Sequence, residues 1–440
     1  MDKEFRRAAA RTTPLHARRS PTFRTRAVAL IVALIAIALP AAALAAGSPP
    51  AKGTTPMAPA AAGGAAATTT TPTTPATGKS TIHWRKPVRI EKAKWGGLNA
   101  ISCPAVHLCL AVDQSGHVLW TKTPKSTNHW HLVTVDKNKS LTGISCPTTT
   151  FCAAVDDAGR VVWTSTPTGT KKKWSKPLLV DTALAPGGGP AGLTAISCTV
   201  AATTPTTTTT TTPTTPSKTS TTAVTPLCVA TDGSPQGNVV VSTKPTGGKK
   251  AWIPAQIGSA NSLGGTLASV TCLSMKLCIA AGSQHYYSKA PSGGASAWRA
   301  TGGPTAGGLL ASIACPAANA CVAVGYGNSS IGLSDVTARP TGGLTSWITT
   351  AVTGTPPAIG AGLVDAVGCS SISFCVAVDG FDHAYTTTSP MTGAWTGGDP
   401  IRKNSAAQWS SIACQPTYCM VVDSAGVGVP GVVKTASTTG

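Results

Sequence analysis

From residue 98 to the C-terminus, apolar and polar positions follow one pattern that recurs seven times. The clearest copy is residues 141–167, LTGISCPTTTFCAAVDDAGRVVWTSTP. An apolar run ends in a cysteine and a second cysteine follows six positions later. A second run ends at Asp156, a glycine turn follows, and a third run ends in Thr/Ser/Pro before Trp174. Runs this short, rich in Val, Ile, Trp and Thr and bounded by Gly, Pro or Asp, read as strands. The pattern predicts strands over 141–146, 152–156, 160–164 and 174–180.

Successive first cysteines lie 43, 52, 74, 43, 54 and 45 residues apart, and the 74 contains a long insertion. A period of about 40–50 residues with four strands per unit is that of propeller blades. A four-stranded sheet cannot bury both faces alone, whereas sheets stacked around an axis can. The fold class expected is therefore all-β, a seven-bladed β-propeller of four-stranded antiparallel blades. The first strand of each unit (LNAISC, LTGISC, LTAISC, LASVTC, LASIAC, VDAVGC, WSSIAC) carries small residues around one Ile or Val, which suits the crowded innermost position. The Trp strand would be outermost. The seventh unit ends without one, and a spare strand at 83–90, HWRKPVRI, precedes the first unit. That surplus and deficit cancel if the N-terminal strand completes the last blade and closes the ring.

The pattern uses all fourteen cysteines. Cys103 pairs with Cys109, Cys146 with Cys152, Cys198 with Cys228, and Cys272 with Cys278. Cys315 pairs with Cys321, Cys369 with Cys375, and Cys414 with Cys419. Each pair flanks a hairpin loop, where cross-strand neighbours come close enough to bridge. One disulfide per blade is expected. Zinc spacings such as C-x2-C are absent.

The N-terminus supplies an export route. Residues 1–26 are Arg-rich, 27–39 are purely apolar, and Ala43-Leu44-Ala45 resembles a signal-peptidase site. Residues 1–46 read either as a cleaved signal peptide or as an uncleaved anchor, since 27–46 is just long enough to span a bilayer. Either reading sends the remainder outside the cytoplasm. Residues 47–80 are Ala, Pro, Thr and Gly with almost nothing to bury, a disordered linker. Residues 81–440 are the propeller, with a disordered Thr-rich insertion at 199–227 in the third blade.

Net charge is +20, of which +6 belongs to residues 1–46, and a local run stands at Lys171-Lys172-Lys173. An exported basic surface favours anionic envelope polymers. Nucleic acid is not an expected partner, given export and the lack of interleaved aromatics. Asp113, Asp156, Asp232, Asp379 and Asp423 each lie four residues after the second cysteine of their pair, while Gly282 and Gly325 hold the equivalent positions. They are candidate face residues, a ring of carboxylates able to bind a cation. The competing reading, and the favoured one, is turn chemistry, in which Asp of a D-x-x-G turn bonds its own backbone. His117, Tyr287 and His383 fall on or near the same turns, but nothing sets a metal-ligand spacing, so no metal or cofactor is assigned. Residues 426–431 match G-x-G-x-x-G but open no helix, which removes the nucleotide reading.

The blade ends resemble the bacterial neuraminidase repeat, or Asp box, S-x-D-x-G-x-x-W. The matching residues are Ser165, Gly169 and Trp174; Ser242, Gly247 and Trp252; Ser288, Gly293 and Trp298; and Gly342 and Trp347, with Pro near the place of the box aspartate. The repeat occurs in sialidase-like and photosystem-assembly-factor-like propellers. The chain is more similar still to exported bacterial propellers with S-C-P-x-x-x-x-C-x-A-V-D repeats. Sialidase membership would imply a Tyr–Glu pair, a further acid and an arginine triad. Glu91 is the only glutamate after the leader, and Arg85, Arg89, Arg160, Arg299, Arg339 and Arg402 are scattered, so no catalytic residue is carried over. The expected function is a non-catalytic, extracytoplasmic, monomeric binding or scaffold propeller at the cell envelope. Its partner would be cell-wall polysaccharide or an envelope protein, with possible membrane attachment through 27–46. The alternative is a sialidase-like glycoside hydrolase.

Overall fold

The computed structural model describes residues 80–435 apart from 92–95, 127–128, 184–187, 202–224, 259–264, 305–306, 328–330, 353–362 and 403–406. The expected leader, nearly all of the linker and the centre of the Thr-rich insertion lie outside the described residues. Among these residues no helix is long and apolar enough to cross a membrane.

The described strands form seven antiparallel sheets. The first blade runs outward through Leu98–Ala105, Leu108–Asp113, His117–Thr121 and His131–Thr134. Each later blade repeats that order. The seventh contributes Trp409–Gln415, Tyr418–Asp423 and Val427–Lys434. Its outermost strand is Thr81–Trp84, paired His83 to Val432, and Val88–Arg89 continues along the same edge. The chain's N-terminal strand therefore completes the last blade, as the surplus and deficit required.

The apolar core is divided among the seven seams between blades. Trp174 packs with Leu108, Val133 and Leu141 across the first and second blades. Ile90, Leu98, Cys109, Tyr418 and Met420 fill the seam where the seventh meets the first. Small residues on the innermost strands let the blades approach, and hydroxyls then cross the gap. Ser102, Ser145 and Ser197 accept the backbone N–H of Cys146, Cys198 and Cys272 of the following blade, at 3.1, 2.8 and 2.9 Å. The I-S-C triplet thus serves two purposes, a disulfide within its blade and a hydrogen bond to the next.

All seven expected disulfides are formed, with Cα separations of 4.0–4.1 Å. Cys103 is bonded to Cys109, Cys146 to Cys152, Cys198 to Cys228 and Cys272 to Cys278. Cys315 is bonded to Cys321, Cys369 to Cys375 and Cys414 to Cys419. The second cysteine of every pair is fully buried, at 0% exposure, because it stands on the second strand of its blade with a sheet neighbour on either side. Two details differ from the expected placement: the outermost strand of the second blade is Leu178–Leu179 rather than 174–180, with Trp174 making an isolated bridge to Thr164, and the first two strands run further than expected. The second blade's strands extend to Leu141–Thr148 and Phe151–Asp156, so the bridge from Cys146 to Cys152 lies inside a hairpin rather than at strand ends. Closing such a short loop stabilises by roughly 2 kcal/mol in the chain-entropy model. The third bridge spans 30 residues, yet Cys198 and Cys228 remain direct cross-strand partners.

Candidate functional site

In every blade the register between the first two strands slips just after an apolar residue at or next to the strand's start: Leu98, Leu141, Leu193, Leu267, Leu310, Val364 and Trp409. A bulge re-aims the extra side chain. The bulged residues Asn99, Thr142, Thr194, Ala268, Ala311, Asp365 and Ser410 all line one axial channel of about 300 Å³. Four of them lace the ring. Asn99 Nδ2, Thr142 Oγ1, Thr194 Oγ1 and Ser410 Oγ donate to the carbonyl of the next blade's opening residue, at 2.7, 2.6, 3.1 and 2.6 Å. The alanines have no donor to offer. Asp365 could donate in the same way only as a neutral acid, and burial, followed by the charge of Asp379, pushes its carboxyl up to about 7. In the sequence these positions look like unremarkable small residues after an apolar one.

The five candidate face aspartates sit at 0–1% exposure. Asp113 Oδ1 accepts the N–H groups of Ser115 and His117 at 2.9 and 2.7 Å. Asp156, Asp379 and Asp423 accept from the second and fourth following residues in the same way. Asp232 accepts from Ser234 and Asn238. One oxygen of each is thus committed to the turn, as turn chemistry requires.

The second oxygen of Asp379 is held within its own blade by His383 Nδ1 and the Tyr385 hydroxyl, both at 3.0 Å, whereas those of Asp113, Asp156 and Asp423 lie at seams, where the sequence showed nothing. After each of several outermost strands the chain crosses to the next blade, and its N–H bonds the carbonyl of the turn glycine. Glu91 does so to Gly426, Asp136 to Gly116 and Asp181 to Gly159. These acids are 2–4% exposed and meet the turn aspartate of the following blade. Burial, then Asp113, pushes Glu91 up to about 8. Burial, then a hydrogen bond with Asp156, pushes Asp136 up to about 7, against the pull of Arg160. Asp181 is raised by burial. Arg160 bridges its seam, with Nε 2.6 Å from Asp156 and Nη2 2.9 Å from Asp136. Arg402 does likewise between the sixth and seventh blades, 2.7 Å from Asp423 and 3.3 Å from Asp382.

On the outer rim, between the first and second blades, lies a cavity of about 1050 Å³. Trp174, Val135 and Pro177 form its apolar wall, and Lys137, Lys171, Lys172 and Lys176 line it. Lys171–Lys173 form a single 3-10 turn whose lysines are exposed. Asp136, the one acid on the lining, already faces Arg160. The groove is cationic, with an apolar floor.

The geometry defines a seven-bladed propeller with one disulfide per blade, laced at its axis and carrying a basic groove on its rim. No protein-family model matches the sequence, and no curated protein does. Solved structures with similar folds include one described as YCF48 bound to D1 peptide, at 12% identity and TM-score 0.52, covering 79% of this chain and 96% of that one. YCF48 from Cyanidioschyzon merolae is similar at 15% identity and TM-score 0.50, covering 78% and 98%. The structure of U3-55K is similar at 9% and 0.54, covering 80% and 98%. At these identities the likeness is one of fold.

Proposed function

We propose that this chain is a non-catalytic binding propeller, exported beyond the cytoplasm, which holds a partner at the cell envelope through the lysine groove. Seven disulfides suit an oxidising compartment, and residues 27–46 would deliver or tether the domain. The groove carries this reading, because four lysines around an apolar wall suit an extended anionic ligand with some apolar content. Of the two partner classes expected from the sequence, an acidic segment of an envelope protein is favoured over cell-wall polysaccharide. A propeller of similar fold is described as bound to a peptide.

The test is fluorescence polarisation of the full chain with a labelled acidic, Leu-containing peptide, beside cosedimentation with isolated cell-wall polysaccharide, each at low and high salt. The expected result is salt-sensitive peptide binding, weakened at least about tenfold when Lys137, Lys171, Lys172 and Lys176 are changed to Ala. Binding of neither ligand, or binding that ignores the four substitutions, overturns the groove as the site. Saturable binding to polysaccharide alone replaces the protein partner with a glycan.

A further inference from the structure

Three seams share one layout: an acid entering from the outermost strand, a turn aspartate of the next blade, and a side chain four or six residues beyond that aspartate. At the first-to-second seam these are Asp136, Asp156 and Arg160, and the guanidinium lies between the two carboxylates. At the second-to-third seam they are Asp181, Asp232 and Asn238. The amide of Asn238 donates to Asp232 at 2.9 Å, and the backbone of Ala183 donates to Asp181. At the closing seam they are Glu91, Asp113 and His117. There His117 Nδ1 contacts Asp113 Oδ2, and both oxygens of Glu91 are buried with no hydrogen-bond partner.

A carboxyl at 2% exposure with neither oxygen satisfied, facing a second carboxylate, is unfavourable unless something positive joins them. The neighbouring seam shows what that is, since Arg160 places a cation there. The shorter imidazole of His117 turns its Nδ1 to Asp113 instead. One ligand atom from each of Glu91, Asp113 and His117 lies within 4.8 Å of the others. Ligands about 2.1 Å from a tetrahedral ion stand about 3.4 Å apart, so binding would draw Glu91 inward and part the His117–Asp113 contact.

We infer that Glu91, Asp113 and His117 form a binding site for one divalent cation, which takes the place at the closing seam that the Arg160 guanidinium takes at the next. Two carboxylates and one imidazole suit Zn²⁺ or Mn²⁺ better than Ca²⁺, which favours an all-oxygen set. Glu91 lies just beyond the N-terminal strand that completes the seventh blade, whereas Asp113 and His117 belong to the first. The ion would therefore join the two ends of the ring, and closure of the propeller would depend on metal. This inference stands apart from the groove and its ligand.

The experiment is calorimetric titration of the EDTA-stripped full chain with Zn²⁺, Mn²⁺ and Ca²⁺ at pH 7, beside thermal melts with and without each ion. Expected are one Zn²⁺ or Mn²⁺ per chain and a higher melting temperature on binding. Glu91→Gln should weaken affinity at least about 100-fold, and Asp181→Asn, at the equivalent seam without a histidine, should leave it unchanged. His117→Arg should bind no ion and should melt without metal at least as high as the wild-type apo chain, because it imports the neighbour's solution. A folded chain that binds none of the ions saturably overturns the inference and leaves a proton shared between Glu91 and Asp113. Equal binding by Glu91→Gln overturns it too. Should Glu91→Gln fail to fold, metal binding retained by His117→Arg is the overturning result.

Discussion

The closing seam and the seam beside it differ in how the same problem is solved. Both run the chain from an outermost strand over a turn glycine and into the next blade, and both bury an acid against a turn aspartate. At Asp136 the sequence supplies Arg160, and the carboxylates are balanced by a fixed cation. At Glu91 it supplies His117, and both glutamate oxygens are left unsatisfied. The covalent situation differs in parallel. Residues 136 and 156 are joined by a short stretch of chain, whereas the closing seam joins segments more than 300 residues apart at Ile90 and Gly426. The seam that costs most chain entropy to close is thus the one with no guanidinium bonded between its two carboxyls, Arg89 acting on Glu91 only through its charge, and its stability would be open to control from outside the chain.

The largest test of that contrast removes one side of it. A full chain lacking residues 81–91 loses the outermost strand of the seventh blade and the acid of the closing seam. Its melt, followed by near-ultraviolet circular dichroism, should lose cooperativity and begin well below that of the intact chain. An unchanged single transition would mean that closure contributes nothing. A smaller effect is expected at the internal seam. Arg160→Met leaves Asp136 and Asp156 facing each other without a counter-charge, which should destabilise by about 2–4 kcal/mol in urea denaturation. A loss under about 0.5 kcal/mol would show that the guanidinium is not what balances that pair, and would remove the precedent for a cation at Glu91.

The smallest effect belongs to the channel, where Asn99 and Asp365 hold equivalent bulge positions. Asn99 donates to the next blade, whereas Asp365 can do so only when protonated. Its folded-state pKa, about 7, lies above its ordinary value of 3.8. The neutral form is therefore the favoured one in the fold, and stability present below about pH 4 is lost as pH rises toward 7. Asp365→Asn should flatten that part of the pH–stability curve and add about 1 kcal/mol at pH 8, the usual net value of one hydrogen bond. Identical slopes for the two proteins would show that Asp365 is solvated in both states.

Much of the architecture was legible because it repeats. Seven copies of a short pattern average out the ambiguity of any one strand. Paired cysteines and a missing final strand made the blade order and the closure readable. The binding surface was less so. Lys171–Lys173 stood out as a charge run and Lys176 lies close to it in sequence, but Lys137 joins them only because adjacent blades meet along their outer strands. The turn aspartates were visible as D-x-x-G. Their second role, facing an acid from the preceding blade, was not, since Asp136 and Asp181 follow unremarkable strand ends.

Local spacing thus determined what each blade is: strand period, hairpin disulfide and Asx turn all arise within about 45 residues, where chain connectivity brings the partners together. Only the tertiary structure decided what lies between blades, because those contacts depend on the radius and register of the whole ring. Glu91 shows the difference most clearly. As a sequence position it is a lone glutamate beside a spare strand. Closure of the ring buries it against Asp113 and His117 and leaves both of its carboxyl oxygens without a hydrogen-bond partner.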